Sequence, residues 1–342
     1  MFYAQTIEGR RVHANDYDRT QPLICPGCRA RVYLKSGNKN VTHFAHYANS
    51  DCQQFSEGES QRHLLGKQLL YSWIKSQNIK VELEAWLPEM KQRPDLLLEI
   101  DHRRIALEYQ CSPIPYKKLK ERTQGYQNHG YEIYWICGID YFPHERLRDK
   151  TRMFLQKNGS LVCLDSDKGL VYQFGDFQFN KYNKLTWVQQ IKNISLLNVT
   201  EFEKLYCDSI ERRVLEKTTM PYPKQIALLY KKDQRHRDFL SDLYVNQHAL
   251  ANLPVFLFTL PNKTLVYQIP AYMWKYAFLN QLQSRLTYSQ VQTFIEKLPR
   301  YETLFYKEEP LLDFIKELEA RNILKRIGKK EWQVSSFPLR NK

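Results

Sequence analysis

The chain has 342 residues, 43% hydrophobic and 26% charged, enough to bury the cores of two or three domains and too apolar for a disordered chain. No apolar run approaches the roughly 18 residues of a membrane span, and the opening Met1-Phe2-Tyr3-Ala4-Gln5 lacks the charged start and apolar core of a signal peptide, so a cytoplasmic protein with no membrane partner is expected. A formal net charge of +14 favours a polyanionic partner, since Lys and Arg that neutralise phosphates release condensed counterions, and it counts against an acidic small protein as the sole target.

Residues 1–55 read as a short-stranded, turn-rich lobe. Cys25-Pro26-Gly27-Cys28 is a knuckle that aims two sulfurs at one point, and His43, His46 and Cys52 follow downstream. Four of these five close a tetrahedral zinc site. Cys25, Cys28, His46 and Cys52 are the favoured set, with His43 a supporting group or an alternative ligand, because the two histidines are too close for a two-Cys, two-His finger. The remaining cysteines, Cys111, Cys137, Cys163 and Cys207, are scattered singly, and an odd count without a framework argues against disulfides. Structural zinc contributes roughly 10 to 16 kcal/mol in small peptides, so a lobe of this size is expected to depend on it.

Residues 56–78 predict a helix, with Ser56 and Glu59 as a capping box, Leu64, Leu65, Leu70, Trp73 and Ile74 as the apolar side, and Asn78 as the stop. Glu59, His63 and Lys67 recur every four residues and share the opposite side, either facing a site or forming a solvated stripe. Val81, Leu83, Ala85 and Leu87 alternate with Glu82, Glu84 and Trp86 and predict a strand over 81–87.

Leu96 to Ile100 and Ile105 to Tyr109 are short apolar runs around the polar cluster 101–104, which predicts a hairpin. A two-residue loop at Asp101 and His102 would set Asp95 directly opposite Glu108. A four-residue loop would set it opposite Gln110. In either register Glu108 and Gln110 share one face and Leu107 and Tyr109 the other. Opposed carboxylates repel unless a cation lies between them, and two hard oxygen ligands with open positions suit Mg²⁺ or Mn²⁺. The bland alternative is a turn residue and a solvated strand face.

A basic amphipathic helix over 116–129 carries Lys117, Lys118, Lys120 and Arg122, candidate nucleic-acid contacts, and 131–137 reads as a buried strand reached by a crossover. Residues 56–140 thus run helix, three strands, helix, strand. From 141 to 342 the chain reads as mainly helical, with a hairpin over 161–174. A helix over 311–322 and a basic hairpin over 323–334 resemble the second half of a winged helix-turn-helix unit. Tyr126, Tyr222 and Trp274 are candidates to stack on unpaired bases, although aromatics in amphipathic segments usually belong to cores.

The joint order of CPxC, HFAH, a nearby Cys, an ES-xx-H helix, a PD…ExQ hairpin, and a helix with Arg122 and Tyr126 before a WIC strand resembles the competence protein CoiA family of Gram-positive bacteria. That resemblance implies a zinc-binding amino-terminal lobe, a PD-(D/E)xK nuclease-like αβββαβ core, and a role in recombining DNA taken up during transformation, with wider service in DNA repair. By position it makes Asp95 and Glu108 the metal ligands, puts Gln110 where the motif lysine usually stands, and matches Glu59 to the helix carboxylate of many members. Glutamine carries no charge and is no base near neutral pH. Either Lys67, which shares a face with Glu59, replaces the lysine, or metal-bound hydroxide suffices, or catalysis has been lost. The leading expectation is a Mg²⁺- or Mn²⁺-dependent deoxyribonuclease acting on single-stranded or branched DNA. The alternative is a catalytically inactive DNA-binding adaptor that recruits recombination proteins, and a third reading is an RNA-binding or RNA-processing factor.

Overall fold

The computed structural model describes residues 1–37, 40–47, 60–210 and 218–339. The chain forms two compact units, one of Met1–Pro143, Lys150–Gly175 and Val188–Ile210, the other of His144–Asp149, Asp176–Trp187 and Glu211–Lys342. Among the described residues no helix is long and apolar enough to cross a membrane.

The first unit opens with β1 (Tyr3–Gln5), β2 (Arg11–His13), β3 (Leu23–Ile24), β4 (Arg31–Gly37) and β5 (Asn40–His46), a sheet in the order β2-β1-β3-β4-β5. Its core is small, built around Leu23, Cys25, Val32 and Phe44. So few apolar side chains supply little hydrophobic stabilisation, the condition under which small lobes use a metal or a covalent staple.

Helix α1 (Gln61–Lys75) begins where Ser60 Oγ accepts the His63 amide at 3.2 Å and ends before Asn78, whose φ of 57° turns the chain. Ser56 and Glu59, expected to cap it, lie outside the described residues. Next come β6 (Lys80–Leu83), β7 (Leu96–Ile100), β8 (Arg103–Gln110), α2 (Tyr116–Asn128) and β9 (Glu132–Gly138). The first three strands pair antiparallel and β9 joins β8 in parallel, giving the αβββαβ order.

The strand expected over 81–87 stops at Leu83. Glu84 has a φ of 56°, uncommon for a residue with a side chain, and its carboxylate turns inward instead of continuing the outward alternation. The β7–β8 hairpin has the two-residue loop, since Ile100 pairs with Arg103. Asp101 and His102 both take positive φ, 47° and 67°, as a type I′ turn requires. The four-residue register is thereby overturned.

The sheet continues past residue 140, where the sequence reading ended the core. After α3 (Asp149–Arg152), β10 (Leu161–Asp165) adds in parallel to β9, β11 (Leu170–Phe179) closes the hairpin expected over 161–174, and β12 (Leu185–Asn193) follows. The strand order is β12-β11-β10-β9-β8-β7-β6. Helix α4 (Val199–Cys207), with a capping box from Asn198 and Glu201, packs Phe202 at 5.2 Å from the Trp73 ring of α1.

The second unit contains β13 (Thr218–Thr219), α5 (Tyr222–Ile226), α6 (Gln234–Val245), β14 (Thr259–Leu260), α7 (Ala271–Asn280), β15 (Arg285–Thr287), α8 (Tyr288–Lys297), α9 (Pro310–Ala320), β16 (Leu324–Gly328) and β17 (Glu331–Val334). Strands β15, β17 and β16 form one antiparallel sheet in that order. Trp274 lies in this unit's core and Tyr126 in the core of the first, so of the three stacking candidates only Tyr222 is exposed.

Candidate active site

The amino-terminal group is made by two elements. Cys25 and Cys28 follow β3 in a turn closed by the Arg29 amide on the Cys25 carbonyl at 3.0 Å, and His46 ends β5 opposite Val32. The ligand atoms of Cys25, Cys28 and His46 lie within 4.8 Å of one another, with Cys28 Sγ 3.4 Å from His46 Nε2. His43 is not part of this group. An odd separation on a strand puts it on the other face from His46, and its Nδ1 lies 2.7 Å from the Val41 carbonyl. Two thiols and one imidazole are the donor types of a structural zinc site, which takes four. Cys52, the fourth in the sequence reading, lies outside the described residues.

The carboxylate site forms where β7 and β8 leave their ladder. Its last pair is Leu96 with Leu107, so Asp95 and Glu108 are the next residues outward on facing strands. Asp95 Oδ2 accepts the Tyr109 amide at 2.8 Å and lies 3.0 Å from His63 Nε2, while Oδ1 lies 3.7 Å from Lys67 Nζ. Burial alone would raise the Asp95 carboxyl, but the charge and hydrogen bond of His63, then Lys67 and the Tyr109 amide, outweigh it and hold the group well below the usual carboxylate range. Asp95 is therefore ionised near neutral pH.

Glu108 belongs to a second cluster, on α2. Its Oε1 accepts from Tyr126 Oη at 2.7 Å and pairs with the Arg122 guanidinium. Burial pushes the Glu108 carboxyl up against the pull of Arg122, and the Asp95 charge adds to the push. Asp95 Oδ1 keeps only the longer ion pair with Lys67, and Glu108 Oε2 lies outside the bonds of Oε1. Two hard oxygens of this kind fit Mg²⁺ or Mn²⁺, which take one or two carboxylates and complete their shell with water and phosphate. Gln110 is buried, and its Nε2 donates to the Ser112 carbonyl at 2.6 Å.

Lys67 is tied to both a strand and the amino-terminal lobe. Its ammonium lies 2.5 Å from Glu84 Oε1, and Glu84 Oε2 accepts the amides of Phe2 and Tyr3 at 2.8 and 3.2 Å. The Phe2 ring centroid is 5.3 Å from Lys67 Nζ. Arg11 pairs with Glu82 and also donates to the Leu83 carbonyl. The inward turn at Glu84 thus serves two ends, docking β1 and fixing the lysine.

Of the residues singled out in the sequence, Asp95 and Lys67 meet, and Glu108 lies on the facing strand. Lys117 and Lys120 are exposed on α2 and Lys118 is half-buried, whereas Arg122 turns towards Glu108. Glu59 lies outside the described residues. The site also contains His63, named in the sequence with Lys67, Tyr126, a candidate there to stack on a base and bound instead to Glu108, and Glu84, which the sequence did not single out. His63 has a signal, its place one turn before Lys67, and Tyr126 sits one turn after Arg122. Glu84 has none, because it reads as the outward residue of an alternating strand.

Known proteins provide an independent comparison. A family model for the nuclease-like domain of competence protein CoiA matches residues 59–214, and one for the N-terminal domain of the same protein matches residues 8–55, together more than half of the chain. The chain belongs to the competence protein CoiA family. Competence protein CoiA of Bacillus subtilis (strain 168) is 36% identical over 134 residues, a match spanning 39% of this chain and 35% of that relative. No solved structure gives a significant match. The CoiA nuclease-like region runs on to residue 214, beyond the 56–140 span of the sequence reading and in step with the strands that extend the sheet past β9.

Proposed function

We propose that this CoiA-family chain is a Mg²⁺- or Mn²⁺-dependent deoxyribonuclease that serves competence by processing incoming DNA for recombination, with further use in DNA repair. The observation that carries this reading is the position of Lys67, 3.7 Å from Asp95 Oδ1. It supplies from α1 the positive charge that Gln110 cannot supply from β8. Asp95 and Glu108 hold the cation, which when bound polarises the phosphoryl oxygen and makes water a better nucleophile. Lys67, aimed by Glu84, bears on the charge that develops on the scissile phosphate. His63 and the Tyr109 amide keep Asp95 ionised and oriented. Gln110, anchored on Ser112, offers its carbonyl oxygen to a water. Lys117, Lys118 and Lys120 track the DNA backbone along α2, and the Cys25, Cys28 and His46 group holds structural zinc with Cys52 as fourth donor. The setting is the cytoplasm, with recombination proteins as partners.

One observation favours a second reading, the catalytically inactive adaptor. Arg122 pairs with Glu108, and its guanidinium puts a built-in positive charge beside one of the two carboxylates. Cleavage of single-stranded, double-stranded and branched DNA with Mg²⁺ or Mn²⁺ separates the readings. Metal-dependent cleavage that falls at least about a hundredfold in Lys67→Met supports the nuclease. Intact DNA in every lane, with binding retained, leaves the adaptor.

A further inference from the structure

The second unit contains the complete element order of a winged helix. Helix α7, strand β15, helices α8 and α9 and strands β16 and β17 follow one another, and β15 pairs with the last strand, β17, which pairs with β16. In helix-turn-helix proteins the second helix of the pair enters the major groove. That place belongs here to α9, and its charge is wrong for the task. It carries Asp313, Glu317 and Glu319 against Lys316, whose ammonium is held by Asp313 at 2.9 Å. The connection between α8 and α9, residues 298–309, is also far longer than the turn of about three to four residues that makes a tight helix pair.

The hairpin has the opposite character. Lys325, Arg326, Lys329 and Lys330 are exposed on β16 and the tip. Arg326 is bound to Glu319 at 3.0 Å, and Lys330 lies over the Tyr288 ring at 5.5 Å. Lys325 and Lys329 have no ion pair among the described residues, and the nearby Glu331 is within 3.5 Å of Arg285. A twisted two-stranded ribbon is narrow enough to lie along a duplex groove.

We infer that this unit is a second DNA-binding site, which grips duplex DNA by the β16–β17 hairpin and not by α9, through phosphates and without base readout. The inference shares with the proposed function only the ligand class, so it is tested without cleavage. Full-length protein carrying Asp95→Ala, with no chelator and no added Mg²⁺ or Mn²⁺, is titrated with a fluorescent duplex between about 50 and about 200 mM salt, beside the same protein with Lys325→Ala, Lys329→Ala and Lys330→Ala added. All three added changes are on the surface, and equal melting temperatures verify the fold. Each lost phosphate contact lowers the slope of log K against log salt by about 0.9, so a slope smaller by about 2 to 3 and affinity weaker by about tenfold or more are expected. Lys316→Ala should change neither. An unchanged slope in the triple variant, loss of binding with Lys316→Ala, or preference of the hairpin lysines for duplex RNA or anionic vesicles over duplex DNA would overturn the assignment. None of these results depends on whether the Asp95 site cleaves.

Discussion

Lys67 and Glu84 form an ion pair with 0% and 1% of their side chains exposed, and the same carboxylate receives the first two amides of the amino-terminal lobe. Breaking a buried pair leaves an uncompensated charge, which costs about 3 to 5 kcal/mol. Glu84→Ala is expected to lose stability in that range by urea unfolding, and Lys67→Met combined with it to lose much less than the two single changes added together. Additive losses would contradict the pairing.

Gly66 of α1 faces the Tyr109 ring so closely that an added Cβ would lie 2.0 Å from Cε1. Tyr109 follows Glu108 and donates its amide to Asp95, so the side chain that must move belongs to the site's own strand. Gly66→Ala should cost about 1 to 3 kcal/mol by overpacking. It should also weaken divalent-cation binding measured by calorimetry on the folded variant. Wild-type stability in Gly66→Ala would contradict the close approach.

Asp95 gives the protein an acid-sensitive contribution to stability. An unfolded aspartate titrates near 3.9, and the folded group, held lower by His63, Lys67 and the Tyr109 amide against its burial, takes up its proton only in stronger acid. The stabilisation is therefore complete above about pH 4 and is lost as pH falls through the folded value. Asp95→Asn should be less stable than the wild type near neutral pH. The gap should narrow between about pH 4 and about pH 2, and a constant gap would contradict the assignment.

Cys28→Ser tests the metal group. The lobe's apolar core is small, and metal-ligand binding energy is folding energy in such lobes. The wild type is expected to carry one zinc per chain by elemental analysis, and the variant to lose it together with the lobe's protection from hydrogen exchange. Zinc retained in full by Cys28→Ser would contradict the ligand assignment.

The core was legible because its local signals agree. Apolar periodicity placed α1, β7, β8, α2 and β9, and the dipeptide Asp101-His102 accepted the positive φ values of a type I′ turn. The period of two left Asp95 opposite either Glu108 or Gln110 until the two-residue loop chose Glu108, and the four-residue spacing put Lys67 on the helix side of His63, which the structure turns towards Asp95. Glu84 was not legible, since whether a carboxylate on an alternating strand turns out or in depends on Lys67, Phe2 and Tyr3, all distant in sequence. His43 was ambiguous for the opposite reason. Spacing in the chain does not say which of two histidines faces the knuckle until strand pairing sets Val32 against His46. Nor is the extent of the sheet readable, because the pairing of β9 with β10, and of β10 with β11, joins residues that carry no shared motif.

If Asp95 and Glu108 hold the cation of a DNA-cleaving site, removing both abolishes cleavage without abolishing DNA binding. The most direct measurement is cleavage of single-stranded, double-stranded and branched DNA with Mg²⁺ or Mn²⁺ by the wild type and by an Asp95→Ala, Glu108→Ala double variant at matched zinc content. Cleavage by the wild type alone is expected, with DNA affinity equal in the two proteins. Equal cleavage by both, or none by either while both bind DNA, would contradict it.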